Sequence, residues 1–169
     1  AHDFLWRVEQ CVPEKGQIAI FNRSHYEDII AVRVKKIFPD PVWKRRYKHV
    51  LDFESMLAEE GTVIIKLFLN ISKEEQKKRL ESRLQDPDKL WKFCMDDLDD
   101  RNRWDEFQTA YQDLIEKTST PEAPWYIIPA DRKWYRNLVV ARLMVEKLRH
   151  LQLSLPTPNF DPASIIIPD

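Results

Sequence analysis

Residues 18–28, with the sequence IAIFNRSHYED, join an apolar run to a dense group of side chains that can bind phosphate or metal. An arginine placed just past a buried strand can hold a phosphate through two parallel hydrogen bonds, which makes Arg23 a candidate phosphate ligand. The alternative is a structural ion pair between Arg23 and Glu27. The residues alone do not separate these two interpretations.

Two adjacent carboxylates, Glu27 and Asp28, follow one turn into the next predicted helix. A magnesium ion that bridges phosphates needs one or two carboxylates and several waters, so this pair is a candidate metal site. On the residues alone the better interpretation is a solvated first helical turn, where acidic side chains favour the helix dipole. His25 could act as a general acid or base, although a single histidine is more often a packed, hydrogen-bonded side chain.

A second group of basic residues lies in segment 77–103. Arg79 and Arg83 are four residues apart and share a helical face, and Lys89 and Lys92 follow a proline-containing turn. Basic side chains in a helix–turn–helix after a strand suit a mobile lid that closes on phosphates and excludes water. An ordinary solvated helix face is the alternative, and without further information it is the better one.

The elements that must position these residues alternate between strands and helices. Nearly continuous apolar runs predict strands at 17–21, 62–72 and 125–130, buried on both faces. Helical spacing of apolar residues predicts helices over 3–11, 25–38, 41–60, 72–85, 96–118 and 131–151. The alternation predicts an α/β fold with a parallel sheet covered by helices. The carboxyl ends of the strands then bring 22–28, Ser72 and 129–132 to one edge, where sites form in such sheets.

Two local signals predict where helices begin and end. Ser72, followed three residues later by Glu75, predicts a capping box at a helix N-terminus. Gly61 predicts the end of the helix over 41–60. The segment 151–169 has several prolines and predicts an extended or docking tail.

Composition limits the classes of function. The 169 residues suffice for one domain, and a net charge of -1 gives no global electrostatic case for binding nucleic acid or an anionic membrane. Cys11 and Cys94 form no metal-binding spacing, which predicts buried or free thiols in a reducing compartment. No stretch approaches 18 apolar residues and the N-terminus does not resemble a signal peptide, so a cytoplasmic protein is expected.

Glycine is scarce. Average usage of about 7% predicts roughly 12 glycines in a chain of this length, whereas the sequence contains two, Gly16 and Gly61. No glycine-rich phosphate-binding loop of either common type can therefore lie within these residues.

Several segments together resemble the family-2 polyphosphate kinases. They are FNRSHYED, DFESMLAEEGTVIIKLFLNISKEEQKKRL, DPDKLWK, DDLDDRNRWDEF and TPEAPWYIIPADRKWYRN, and the resemblance spans about residues 3–150 in order. The form N-R-S-H-Y-E-D is similar to the class III subgroup, which phosphorylates nucleoside mono- and diphosphates. Other members have Asp in place of Asn22.

The resemblance implies a P-loop kinase fold related to thymidylate kinase. Residues 1–150 would be the C-terminal part of the kinase domain, with a helical lid at about 77–103 and a proline-rich tail at 151–169. The implied reaction is reversible, magnesium-dependent phosphoryl transfer between inorganic polyphosphate and nucleoside mono- or diphosphates, taking AMP or ADP to ADP or ATP. The implied partners are these substrates or ATP, and further copies of the chain in a dimer or tetramer.

The resemblance also assigns roles to site residues. Arg23 and Asp28 would be catalytic, and magnesium would be held at Asn22 and Asp28. Phosphate contacts would come from Asn22 and from the basic residues of the lid, Arg79, Arg83, Lys89 and Lys92. Such a row of cations suits polyphosphate, because phosphoryl transfer depends on positioning and charge neutralisation.

One departure from the family pattern is large. The family's phosphate loop, Gly-x-x-x-x-Gly-Lys, would lie N-terminal to Ala1, so the isolated 169 residues are expected to be inactive. Two other functions stay open at this point. One is an ATP-dependent nucleoside monophosphate kinase, and the other is an inactive fragment that acts only as a binding or assembly module.

Overall fold

The computed structural model describes residues 2–155 and 157–168. Ala1, and Pro156 and Asp169 of the predicted tail, lie outside the described residues. Two β-strands are present in the described part, β1 (Lys66–Asn70) and β2 (Trp125–Pro129). The α-helices are α1 (Trp6–Glu9), α2 (Glu27–Val34), α3 (Asp40–Glu59), α4 (Lys73–Gln85), α5 (Asp96–Asn102), α6 (Trp104–Thr118) and α7 (Lys133–His150), with short 3-10 helices at Pro87–Lys92 and Pro162–Ser164.

The two strands run parallel, in register from Lys66 opposite Trp125 to Asn70 opposite Pro129. The connection between them contains α4, α5 and α6, as a parallel pair requires a long crossover. The predicted α/β fold with a small parallel sheet and many helices is therefore confirmed.

The strand predicted at 17–21 is wrong. This segment has no regular secondary structure, and Ile18, Ile20 and Phe21 are 65%, 86% and 45% exposed. A strand forms only when its backbone groups pair with a neighbour, and no described residue supplies that ladder. The prediction of strands buried on both faces also fails in part, because Leu69 and Ile127 are exposed.

The main core lies between α2, α3 and α6 rather than across the sheet. Its largest fully buried side chains are Ile29, Ile30, Val50 and Leu114, each at most 2% exposed. Fully burying such a side chain is worth roughly 1.5–3 kcal/mol. The core therefore fixes α2, and with it the turn that precedes α2, against α3.

The helix ends follow the local signals in two places. Gly61, at φ 92°, ends α3 with a bond from its own N–H to Ala58 O and one from Thr62 N to Leu57 O, which together form a Schellman motif. Ser72 Oγ accepts from Glu75 N at 3.1 Å at the start of α4. The reciprocal half of the predicted capping box is absent, because Glu75 Oε1 accepts from Arg79 Nε instead.

Other helices are shorter than predicted. The predicted helix over 96–118 divides at Arg103, which leaves the helical conformation at φ −97° and ψ 24° and donates from Nη1 to Val34 O. The helix predicted over 25–38 spans only Glu27–Val34, since Lys36 adopts φ 53°. Cys11 and Cys94 are free thiols as expected, but both are exposed rather than buried. Within 2–155 and 157–168, no helix combines the length and apolarity needed to cross a membrane.

Candidate functional site

The turn before α2 holds Arg23 in a strained conformation. Its φ of 76° lies in the left-handed region, which costs a residue with a Cβ about 1–2 kcal/mol. The Arg23 side chain is 81% exposed and its ion pair with Glu27 spans 3.5 Å. An exposed pair of this kind contributes little, so the ion pair weighed at the sequence level exists but leaves the guanidinium accessible to a ligand.

Arg46 of α3 secures the far end of this turn. Its Nη1 donates to the backbone carbonyl of Asp28 at 2.5 Å and lies 3.9 Å from Asp28 Oδ1. The Asp28 side chain is 35% exposed. One carboxylate at the start of α2 is thus partly open to solvent and backed by a fixed cation.

A buried polar network supports the centre of the turn. Tyr26 Oη donates to Glu54 Oε1 at 2.7 Å. Lys66 Nζ donates to Glu54 Oε2 at 2.7 Å, to Tyr26 Oη at 3.0 Å and to Thr118 O at 2.6 Å. The three ammonium hydrogens of Lys66 therefore all have acceptors, which a buried lysine requires.

His25 lies at the edge of this network. Its ring stacks on Tyr26 at 4.6 Å and meets Phe53 edge-on at 5.9 Å. His25 Nε2 is 3.5 Å from Glu54 Oε1, is buried, and makes no hydrogen bond within the described residues. The packed position agrees with the interpretation of His25 as a core side chain rather than a general base.

The network shifts the acid–base properties of its members. Burial acts to raise the pKa of Glu54, but the facing His25, Lys66 and Tyr26 groups outweigh it and the pKa lies below its usual range. Burial lowers the pKa of Lys66, against the opposing effect of Glu54. Burial, and then Glu54, raises the pKa of Tyr26. Glu54 is thus a carboxylate at neutral pH, and Tyr26 is a neutral hydroxyl donor.

The carboxyl ends of β1 and β2 form a second part of the site. Asp131 Oδ1 accepts from Ser72 N at 2.7 Å, which confirms that these two strand ends meet. The same backbone bond holds the pKa of Asp131 below its usual range. A cleft of about 570 Å³ opens here, lined by residues that include Ser72, Asp131, Arg132 and Tyr135.

Arg79 binds the backbone at the carboxyl end of β2. Its Nη2 donates to Ala130 O at 2.7 Å and to Asp131 O at 3.3 Å, while its Nε donates to Glu75. Arg79 therefore joins α4 to the end of β2 in this conformation.

The remaining basic residues proposed for a lid are more exposed. Arg83 Nη1 lies 3.3 Å from Asp97 Oδ2, which links α4 to α5, and Lys89 pairs with Asp86. Lys92 Nζ lies over the Trp91 ring at 4.9 Å from its centroid. Two acids of α5 balance neighbouring bases: Asp97 pairs with Arg83, and Asp100 pairs with Lys35 at 2.8 Å.

The structure places the predicted site residues in two groups. One is the turn with Asn22, Arg23 and Asp28, and the other is the helical segment with Arg79, Arg83, Lys89 and Lys92. Among residues 2–155 and 157–168, no hydrogen bond or ion pair joins the first group to the second. The roles assigned to these seven residues stay predictions.

The residues present suit one way of holding magnesium. In the described part of the chain, no set of three His, Cys, Asp or Glu side chains is placed to hold a metal, so a cage built by protein alone is absent. Mg²⁺ usually keeps several waters and binds one or two carboxylates together with substrate phosphates. Asp28, 35% exposed, can supply such a carboxylate.

Comparison with known proteins decides the family. The family model described as polyphosphate kinase 2 matches residues 1–155. The chain belongs to the polyphosphate kinase 2 family. The crystal structure of polyphosphate kinase 2 from Arthrobacter aurescens matches this fold with a TM-score of 0.93 at 48% identity, over 97% of this chain and 58% of that one.

Curated relatives are also similar along nearly the whole chain. An AMP/ADP-polyphosphate phosphotransferase of Meiothermus ruber is 54% identical over 99% of this chain. An ADP-polyphosphate phosphotransferase of Rhodopseudomonas palustris is 39% identical over 92% of it. The chain spans 62% and 58% of the length of these two relatives.

Sequence reasoning missed the residues of this family member that support the turn, namely Arg46, Glu54 and Lys66. Lys66 offered a signal, since it interrupts the apolar run TVIIKLFLN, and a lysine in a buried strand needs a partner. Glu54 follows Phe53 within an apolar helical stripe and could have been predicted as the partner of Lys66. Arg46 offered no such signal, because it stands in a basic stretch that reads as a solvated face.

Proposed function

We propose that this chain provides part of the catalytic site of an enzyme that transfers phosphoryl groups reversibly between inorganic polyphosphate and nucleoside mono- or diphosphates. AMP and ADP would be converted to ADP and ATP. The similarity to the Meiothermus ruber phosphotransferase over 99% of the chain supports these substrates. The geometric observation on which the proposal depends is the exposed guanidinium of Arg23, held in a strained backbone conformation in the turn before α2.

Phosphoryl transfer requires little covalent chemistry by the protein itself. In phosphoryl transfer the protein positions the two phosphates and neutralises the charge on the transferring group. Arg23 would bind that group, and Asn22 and Asp28 would hold Mg²⁺, which supplies further charge neutralisation. Contacts to polyphosphate or nucleotide would come from the lid residues Arg79, Arg83, Lys89 and Lys92. A P-loop kinase fold would position these residues. The parallel strands with polar residues at their carboxyl ends support that fold.

Movement of the lid segment would be part of this function. Arg79 is bound to Ala130 O and Asp131 O, and Arg83 to Asp97, so each would exchange these partners for phosphate oxygens. A phosphate group accepts stronger, charge-assisted hydrogen bonds than a carbonyl does, which favours the exchange. As in the sequence-based expectation, oligomerisation to a dimer or tetramer and a cytoplasmic location belong to the proposal.

The donor distinguishes this function from an ATP-dependent nucleoside monophosphate kinase. The protein at its full natural length should convert ADP to ATP with polyphosphate and Mg²⁺, at a rate that depends on chain length. It should be slow with ATP and AMP when polyphosphate is absent, and a chelator should stop turnover. Fast transfer from ATP, with none from polyphosphate, would exclude the proposal and support the alternative kinase.

The same assay tests the third possibility, a module that only binds or assembles. The inactivity expected for the isolated 169 residues stays a prediction. Turnover by these residues alone would show that prediction to be wrong and would exclude a purely structural role.

A further inference from the structure

We propose that Glu54 is a positioning residue for phosphoryl transfer: from α3 it holds Tyr26 and so fixes the turn that presents Arg23 and Asp28. The inference rests on the proposed function for its kinetic test, but the placement of the turn can be tested independently. Nothing in the inference requires Glu54 to touch a substrate, since the side chain is 4% exposed.

Arg23 does not hold its own backbone conformation. A residue with a Cβ at φ 76° persists only when its surroundings impose that backbone. The Arg23 side chain is exposed, and in the described residues its one ion pair is with Glu27, four residues along the same chain segment. The constraint must therefore come from residues on either side of Arg23.

Tyr26, three residues after Arg23, provides such a constraint. Its side chain is 3% exposed, packs edge-on against Trp125 at 5.0 Å, and donates to Glu54. Glu54 is fixed in turn by Lys66 of β1, which also donates to Thr118 O at the end of α6. The network therefore connects the turn to α3, to the sheet and to α6.

Helix α3 holds the turn at two points. Arg46 binds the backbone carbonyl of Asp28, and Glu54 binds Tyr26. The two residues are eight positions apart in α3, so they lie along one side of the helix about 12 Å apart. Two contacts at this separation set both the position and the orientation of the turn.

The charged groups of this network suit positioning of the turn better than they suit stability of the fold. A buried ion pair contributes little net stability, because desolvation offsets the attraction. Its hydrogen bonds are directional, however, and they fix the Tyr26 hydroxyl more tightly than apolar packing would. Displacing a reacting group by about 1 Å can cost about a hundredfold in rate. Loss of the network should therefore lower kcat more than it raises KM.

The test uses two matched tyrosine substitutions in the same core. Tyr26→Phe removes only the hydroxyl that binds Glu54. Tyr47→Phe is the control, because the buried Tyr47 hydroxyl has no hydrogen-bond partner within the described residues. In the full-length protein with polyphosphate and Mg²⁺, we expect Tyr26→Phe to lower kcat about tenfold while KM for ADP changes less than about twofold. We expect Tyr47→Phe to keep both values.

Hydrogen exchange provides the readout that does not depend on activity. Amides of residues 24–30 should exchange faster in Tyr26→Phe than in the parent protein, while amides of α6 exchange at the parent rate. Glu54→Gln should act in the same direction, because it keeps the shape and removes the charge that Lys66 and Tyr26 face.

Each outcome decides the inference. An unchanged kcat in Tyr26→Phe, or a loss of kcat with faster exchange throughout α3 and α6, would overturn it in favour of a purely structural network. A parent protein without turnover from polyphosphate would contradict the proposed function instead. Exchange at residues 24–30 would then decide the positioning of the turn by itself.

Discussion

Lys66 Nζ lies 2.7 Å from Glu54 Oε2, and the two side chains are 5% and 4% exposed. The pair joins β1 to α3 beneath the turn that contains Arg23. Burying two charges costs several kcal/mol of desolvation free energy per ion. Their attraction offsets this only when hydrogen bonds also pair their remaining polar atoms. Lys66 meets that condition with three acceptors.

Lys66→Met should destabilise the protein strongly. The substitution leaves the Glu54 carboxylate buried without its cation, and breaking a buried pair in this way costs about 3–5 kcal/mol. The double variant Glu54→Gln/Lys66→Met removes both charges and should regain most of that loss. The free energy of unfolding in urea is the measurement.

Lys44→Met is the control for this pair. Lys44 pairs with Asp40 at 2.7 Å, but the two side chains are 59% and 64% exposed. Removing an exposed pair of this kind should cost at most about 1 kcal/mol. Equal losses for Lys66→Met and Lys44→Met would contradict the assignment of a buried, desolvated pair.

Stability should fall at acid pH through Glu54. Its pKa in the folded protein lies below the ordinary value of 4.5, so its contribution is fully present above that value. As the pH falls through the lowered folded pKa, the carboxylate is protonated and the contribution is lost. Urea midpoints measured from neutral pH down to about pH 3 should therefore decrease more in the parent protein than in Glu54→Gln/Lys66→Met. Parallel decreases in the two proteins would assign acid sensitivity to other carboxylates.

Ser72→Ala should shorten or loosen α4. Ser72 Oγ accepts from Glu75 N, and loss of such a cap costs typically about 1 kcal/mol. Ser55→Ala is the matched control, because Ser55 is exposed within α3, where alanine favours the helix. Unfolding in urea should show a loss for Ser72→Ala and little change or a gain for Ser55→Ala. A loss of the same size in both variants would show that the cap adds nothing.

Local signals predicted the elements that depend on local chemistry. Gly61 and Ser72 determine their helix ends through hydrogen bonds to residues within five positions, so a short window of sequence contains the whole cause. The parallel pairing of β1 and β2 followed from apolar runs separated by helices. The strand at 17–21 failed because pairing is not local, and the apolar run alone cannot provide a neighbour.

The same distinction explains what was found at the candidate site. Arg23 and Asp28 were visible because their residue types stand together in the sequence. Their supports come from other elements, with Tyr26 and Glu54 separated by 28 positions and Lys66 and Thr118 by 52. The left-handed conformation of Arg23 was not predictable either, since arginine has no preference for it.

Arg23→Ala is expected to lower kcat/KM for ADP at least tenfold with polyphosphate as donor. A phosphate contact that strengthens in the transition state is worth more than about 1.4 kcal/mol. Arg23→Lys keeps the charge but loses the paired donors, so it should fall between alanine and the parent protein. Arg142→Ala is the matched control, because Arg142 is an exposed arginine on α7. The ion pair with Glu27 is exposed, so the folded protein should survive the loss of Arg23, and urea unfolding should show a change of less than about 1 kcal/mol. If Arg23→Ala matched Arg142→Ala in kcat/KM, Arg23 would not contact the transferring phosphate.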